Sequence, residues 1–379
     1  MKTRYLLPIL AAACLPVLCA CDATDGAQPL PPPSAESMAS LADGETGASR
    51  EGLARAIDGV FADDVGETRA LIVMHDGKIV AERYADGYTP ETRHVGWSMT
   101  KTVTGVVIGM LIADGSLALD EPAPVPRWQR VGDPRGEITV RQLLQMRSGL
   151  RHVETGEPAY DADTPQMLLL QGRDDMAHFA ETQPLSAAPG EEFVYSTASS
   201  VILADIATRA LTESDRPATR RAAMDGYLHE RLFELLAMDS AVAEFDAHGT
   251  LVGGSMIHAT ARDWAKFGEM LRGGGASPSG VRIVPQGWVR FMRTSSPADP
   301  AYGAHLWLNK PRPEGRERVL FPGSAPESTF AMLGFRGQYT LVSPSQKLTI
   351  VRLGNSNEEE QDLLREAMAN LVSRFPTGQ

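Results

Sequence analysis

From Ser49 onward the chain alternates between helical and strand-like hydrophobic spacing. "SREGLARAIDGVFADD" places apolar residues at helical intervals behind a Ser49 cap. "ALIVMHDGKIVAERYADG" holds two β-rich runs around Asp76-Gly77, a hairpin signal. The stretch from Lys101 to Asp114 is apolar nearly all round and reads as a buried helix stopped by Gly115. Helical patterns fill the middle: "ITVRQLLQM", "PQMLLL", "SVILADIATRAL", "RAAMDGYLHERLFELLAM" and "TARDWAKFGEMLRGGG". In the last, Thr260 and Asp263 predict a capping box and Gly273 to Gly275 a stop. Strands return in "STFAMLGF", "QYTLVSP" and "KLTIVRLGN", with a turn at Pro344-Ser345. "EEEQDLLREAMANLVSRF" closes the chain as an amphipathic helix with acids in its first turn. Strands at both ends and helices between predict an α/β fold. Its single antiparallel sheet is built from N- and C-terminal segments, around a largely helical middle lobe.

Composition narrows the chemistry. Of 379 residues, 43% are hydrophobic and 22% charged, the balance of a globular chain. A net charge of −12 repels phosphate backbones and argues against nucleic-acid partners. There is no zinc-ligand spacing, no HExxH, no GxxxxGK[ST] and no GxGxxG, so neither a metal nor an organic cofactor is expected. The eight histidines, His152 and His305 among them, are scattered without ligand spacing. No obligate protein partner is evident.

All three cysteines fall within the first 21 residues. "MKTRYLLPILAAACLPVLCAC" runs from a basic start through an apolar stretch to small residues, which reads as a signal peptide over residues 1–20. Its "LCAC" end resembles the lipobox of bacterial lipoproteins, with Cys21 as the lipidated first residue of the mature chain. An ordinary signal peptide cut after a small residue is the alternative. Residues 22–48 are rich in Pro, Ser, Ala, Gly and acids without periodicity, and read as a flexible tether reaching roughly 30 Å. These features predict a bacterial envelope lipoprotein facing the periplasm and held to a membrane by lipid. Asp22 resembles the signal that retains such proteins at the inner membrane. Residues 49–379 form the one folded domain, with no internal repeat.

The chain has only six lysines, and Lys101 lies three residues after Ser98, at the start of the predicted buried helix. Residues three apart share a helix face. Val103, Val106, Val107 and Ile108 would wall that face with apolar surface, which lowers a lysine pKa and lets a neutral amine accept a serine proton. The alternative is a capping serine with a solvent-facing lysine. A Ser-His-Asp site lacks its usual elbow, since Gly96-Trp97-Ser98-Met99-Thr100 has no second glycine.

With these residues the chain resembles the serine β-lactamase and penicillin-binding-protein superfamily. The likeness is to its class C β-lactamase branch, with its esterase and 6-aminohexanoate-dimer hydrolase relatives. Six stretches in order carry it across about residues 55 to 375: "GWSMTKTVTGVVIGMLIADGSLALDEP", "ITVRQLLQMRSGL", "PGEEFVYSTAS", "GGSMIHATARDWAKFGEML", "YGAHLWL" and "GFRGQYTLVSPSQKLTIVRLGNS". The resemblance implies a β-lactamase-like fold with Ser98, Lys101 and Tyr195 as catalytic residues, Tyr195 matching the first position of a Tyr-x-Asn motif. Thr197 stands where that motif has its substrate-holding amide. Phe335-Arg336-Gly337 stands where a strand carries Lys-Thr-Gly. The resemblance then implies an oxyanion hole from the N–H groups of Ser98 and Gln338, and substrate contacts from Thr197 and Gly337; Arg336 either restores the missing strand cation one position on or, because adjacent strand residues face opposite ways, points elsewhere. Trp307, in "YGAHLWL", is a candidate pocket wall, and Gly253-Gly254 is expected to support a close approach near the site. The implied activity is hydrolysis of small esters or amides through an acyl-enzyme. The alternatives are a β-lactamase or D-amino-acid peptidase, or a non-catalytic peptidoglycan- or peptide-binding homologue.

Overall fold

The computed structural model describes residues 30–44 and 46–377. The signal peptide, Cys21 and the first part of the tether lie outside them. The helices are α1 (Ala35–Ala39), α2 (Arg50–Val60), α3 (Thr100–Ala113), α4 (Val140–Leu144), α5 (Asp163–Leu169), α6 (Met176–Glu181), α7 (Thr197–Leu211), α8 (Pro217–Leu228), α9 (Ala261–Arg272), α10 (Gln286–Met292) and α11 (Glu358–Ser373). The strands are β1 (Glu67–His75), β2 (Lys78–Tyr84), β3 (His94–Val95), β4 (Val242–Ala243), β5 (Ile257–Ala259), β6 (Trp307–Leu308), β7 (Phe330–Gly334), β8 (Gln338–Ser343) and β9 (Leu348–Asn355).

The main sheet runs β2-β1-β9-β8-β7-β6, antiparallel throughout, so the N-terminal hairpin joins the C-terminal strands as the sequence predicts. Strand alternation splits its two faces. Leu71, Val73, Leu341 and Ile350 pack on α2 and α11, while Ala70, Ile72, Val342 and Val351 face α9, α3 and the helical lobe. The β1–β2 turn is left-handed at Asp76 (φ 50°) and Gly77 (φ 78°), which an Asp-Gly pair accommodates.

Two local expectations change. The tether is shorter than the sequence suggests: α1 is ordered, Ser37 and Leu41 are buried, and the Ser34 N–H donates to Asp58 at 2.8 Å. A short polar stretch can dock through a few hydrogen bonds without any hydrophobic period to announce it. The capping box at α9 is half made. Thr260 Oγ1 accepts from the Asp263 N–H at 3.3 Å, but the Asp263 carboxylate takes Ser240 and Lys266 instead.

Candidate active site

The chain enters the site through β3, which pairs with β5 and delivers Gly96-Trp97-Ser98 to the face of the main sheet. Gly96 is wedged there. A Cβ on it would lie 2.4 Å from the Trp264 ring, and its N–H donates to the Ile257 carbonyl at 2.8 Å. Trp97 takes a left-handed backbone (φ 47°), costly for a bulky residue and characteristic of backbone over-determined by its surroundings. A 3₁₀ turn, Trp97–Met99, then runs into α3, so Ser98 sits partly exposed just ahead of the helix. Residues Thr100 to Leu111 of α3 are all buried, which fixes the helix in the core.

Lys101, in the first turn of α3, is only 1% exposed. Its Nζ donates to Ser98 Oγ at 2.8 Å, to Thr197 Oγ1 at 2.8 Å and to the Gly254 carbonyl at 3.0 Å. The solvent-facing alternative for this lysine is therefore excluded. Burial pushes its pKa down to about 8, against a smaller upward pull from Glu154, whose Oε1 lies 3.9 Å away. At neutral pH about one amine in ten is then uncharged and able to take a proton. Thr197 Oγ1 in turn donates to Glu154 Oε1 at 2.6 Å, giving a hydrogen-bonded line from Lys101 through Thr197 to Glu154. The carboxylate also accepts from the Thr197 N–H (2.8 Å) and Thr164 Oγ1 (3.0 Å), and His152 Nε2 lies 2.8 Å from it. Burial works against the Glu154 charge, but Lys101, His152 and Thr197 outweigh it and hold its pKa near about 2.

Glu154 is the residue that sequence reasoning misses. The chain has 48 acids, and nothing local separates "RHVETGE" from a loop. The missing signal is a long-range one, because α3 and α7 meet only in the folded chain. Thr197 is corrected by the same geometry. It is 1% exposed and committed to Lys101 and Glu154, so it positions the lysine rather than touching substrate. Gly253 and Gly254 behave as expected. A Cβ on Gly254 would meet Thr197 Cγ2 at 2.7 Å, and one on Gly253 would meet Ala204 and Thr104, each at 2.7 Å.

The Glu154 charge has a testable consequence. Because that anion raises the Lys101 pKa, Glu154→Gln is expected to lower it, while the amide oxygen can still accept from Thr197. The acid limb of the kcat/KM–pH profile should move down by about one pH unit. A limb that stays in place or moves up would contradict the coupling.

Tyr195 ends the loop before α7. Its ring lies 5.0 Å from Lys101 Nζ. Burial, with the Glu154 charge, pushes the phenol above its ordinary pKa, so it stays protonated and acts as a donor. Trp307 stacks on it at 5.3 Å, and Tyr302 meets it edge-on at 5.9 Å. Trp307 is thus a wall that orients the tyrosine.

The hairpin beside the serine departs from expectation. Phe335, Arg336 and Gly337 do not lie on a strand. They are the turn between β7 and β8, with Arg336 (φ 64°) and Gly337 (φ 79°) left-handed. A Cβ on Gly337 would meet Arg352 and Leu364, each at 2.8 Å, so its open side faces α11 and not a substrate. The buried Arg352 donates to the Gly337 carbonyl at 2.8 Å and pins that turn. The residue that approaches the serine loop is Gly334, whose Cβ would lie 2.4 Å from the Gly96 carbonyl. Gln338 pairs with Gly334 across β7–β8, and its side chain is spent on Gly354, donating to the carbonyl at 2.7 Å and accepting from the N–H at 2.9 Å. On β7 the Asn309 N–H reaches the Thr329 carbonyl at 3.0 Å, so odd-numbered residues turn their backbone groups toward β6 and even-numbered ones toward β8. Gln338 therefore directs its N–H at β7, and the outward N–H at this end of the strand belongs to Phe335, whose ring meets Trp97 edge-on at 5.6 Å. A short turn and a missing Lys-Thr-Gly leave the sequence without a register mark here.

A three-layer fold with a buried lysine on a helix-start serine defines a serine hydrolase of the β-lactamase type, and comparison with known proteins agrees. The Beta-lactamase family model matches residues 53–373, so the chain belongs to that family. It is 27% identical to the 6-aminohexanoate-dimer hydrolase of Paenarthrobacter ureafaciens over 310 residues, 76% of this chain and 72% of that one. A solved structure of a candidate 6-aminohexanoate-dimer hydrolase from Bacillus anthracis superposes with a TM-score of 0.65 at 23% identity, covering 83% of this chain and 82% of the other. A family VIII carboxylesterase superposes with a TM-score of 0.60 at 16% identity, covering 85% and 97%.

Proposed function

We propose that the domain hydrolyses small esters or amides through an acyl-enzyme on Ser98. The observation that carries this reading is the 2.8 Å contact from a buried, pKa-depressed Lys101 to Ser98 Oγ, with the Tyr195 ring 5.0 Å from the same amine. Ser98 Oγ attacks the carbonyl carbon as its proton passes to the neutral Lys101 amine. Tyr195, protonated and facing the same oxygen, gives its proton to the departing alcohol or amine and is reprotonated from Lys101. Water then attacks the acyl-enzyme, and the proton path runs in reverse. The N–H groups of Ser98 and Phe335 hold the oxyanion, each donor contributing roughly 3–4 kcal/mol to the transition state. Thr197 and Glu154 hold the lysine and take no part in bond making.

Two features favour simple esters and linear amides over fused-ring β-lactams. Thr197 is occupied with Lys101 and Glu154, and the turn offers Phe335 where a strand lysine would meet a β-lactam carboxylate. A lost charge-assisted contact is worth about 1.5–3 kcal/mol, ten- to hundredfold in selectivity. The expected result is a kcat/KM for p-nitrophenyl butyrate at least about tenfold above that for a chromogenic cephalosporin. A cephalosporin value a hundredfold above the ester would make the protein a β-lactamase. The basic and apolar leader ending at Cys21 supports lipid attachment of the domain to a bacterial membrane, facing the periplasm.

A further inference from the structure

Phe335, whose N–H holds the oxyanion in the proposed reaction, opens the turn between β7 and β8. The strand ladder closes at Gly334 and Gln338, so strand pairing does not fix residues 335–337. Phe335 is 54% exposed, and among the described residues its N–H has no backbone acceptor. A donor in such a place stabilises a transition state only if its turn is held still.

The turn is held by its carbonyls. The Phe335 carbonyl accepts from Gln338 Nε2 at 2.9 Å. The Arg336 carbonyl accepts from the Ser356 N–H at 3.0 Å, from Gln338 Nε2 at 3.2 Å and from Arg352 Nη1 at 3.4 Å. The Gly337 carbonyl accepts from Arg352 Nη1 at 2.8 Å. The two side chains come from opposite faces of the sheet. Strand alternation places Arg352 with Ile350 on the α11 face, and Gln338 with Val342 on the face of the helical lobe.

Arg352 is 0% exposed, and burial pushes its pKa down to about 10, so it is still charged at neutral pH. Its other donors go to Thr68 Oγ1 at 2.9 Å, the Glu67 carbonyl at 3.1 Å and Ser356 Oγ at 2.8 Å. Among the described residues no carboxylate is its partner, and burying a cation without an anion is unfavourable. Two glycines make room for it. A Cβ on Gly337 would meet Arg352 Nη1 at 2.8 Å, and one on Gly354 would meet Arg352 Cζ at 2.7 Å. Gln338 is 3% exposed, and its amide is anchored on β9 through the Gly354 carbonyl at 2.7 Å and N–H at 2.9 Å. A turn at a sheet end can leave its carbonyls to water; here protein donors take all three.

We propose that Arg352 and Gln338 are positioning residues for the oxyanion hole, holding the 335–337 turn from its two sides and so aiming the Phe335 N–H at the oxygen of the tetrahedral intermediate. The proposal rests on the Ser98 hydrolase reading and deepens it: part of the transition-state stabilisation comes from a buried clamp that never touches substrate. Acylation and deacylation both pass through an oxyanion, so a loosened clamp slows both and leaves ground-state binding alone.

The test uses Gln338→Met and Arg352→Lys. Both keep bulk, and the second keeps the charge but loses the fork that spans the turn and β1. Phenylboronic acid supplies the second readout. Ser98 Oγ adds to its boron, the hydroxyl proton passes to Lys101, and the tetrahedral anion puts a boron-bound oxygen at the oxyanion position. In each variant kcat for p-nitrophenyl butyrate is expected to fall about ten- to hundredfold with KM within about threefold of the parent, and boronate affinity to fall by about the same factor as kcat/KM. Gln346→Met controls for lost stability. That buried glutamine lies past the other end of β8 and donates to the Val372 and Phe375 carbonyls, so its melting temperature should drop while kcat and boronate affinity stay at the parent values. Parent-like kcat in folded Gln338→Met and Arg352→Lys, or a kcat loss that boronate affinity does not follow, overturns the proposal and leaves the Ser98 reading in place. If one variant does not fold, the other decides by the same two readouts. A parent that neither cleaves the ester nor binds the boronate sinks the Ser98 reading, and this one with it.

Discussion

Ser98→Ala is expected to reduce ester turnover at least about 10³-fold without loosening the fold. The alanine removes the atom that forms the covalent bond and nothing else of consequence. Lys101 keeps Thr197 and Gly254 as partners, and the serine is partly exposed, so no buried polar group is orphaned. The melting temperature should stay within a degree or two of the parent. What activity remains comes from the oxyanion donors and from binding. A retained rate would place the nucleophile on another residue, and a large drop in melting temperature would make the loss a folding effect.

The second large effect is expected at the proton path. Lys101→Ala and Tyr195→Phe should each lower kcat/KM by about 10²–10⁴, and the double variant should lose little more than the worse single one. In the proposed proton path both groups serve Ser98, and either break interrupts the one route from nucleophile to leaving group. Their structural costs differ. Tyr195→Phe keeps the ring stacked on Trp307 and removes only the hydroxyl. Lys101→Ala leaves the Thr197 hydroxyl and the Gly254 carbonyl short of a buried donor, worth about 1–3 kcal/mol each, and leaves Glu154 without its cation. A stability loss is therefore expected for Lys101→Ala and not for Tyr195→Phe. Strictly additive rate losses would assign the two residues to separate steps.

The parts of this molecule legible in the sequence are those written in local period and turn chemistry. The Asp76-Gly77 hairpin, the all-apolar α3 stopped at Gly115, the Ser49 cap of α2 and the acidic start of α11 each carry their own signal within a few residues. The Ser98–Lys101 pair is legible for the same reason, since one short turn running into α3 brings both side chains together. What the sequence does not reveal depends on chain crossings. Glu154 matters only because α7 delivers Thr197 between it and Lys101. Residues 335–337 read as strand from their place in the resemblance, and only the β7–β8 pairing, closed at Gly334 and Gln338, shows that they are a turn. The docking of α1 is set by Asp58 and Arg83, neither adjacent in sequence.

The central claim is that Ser98 is the nucleophile and Lys101 its base. The most direct measurement is intact and peptide mass spectrometry after reaction with a fluorophosphonate. One adduct per chain is expected, on the peptide containing Ser98, formed faster as pH rises through about 8, where Lys101 loses its proton, and absent from Ser98→Ala. An adduct on a different serine, or an unmodified chain after prolonged exposure, would contradict it.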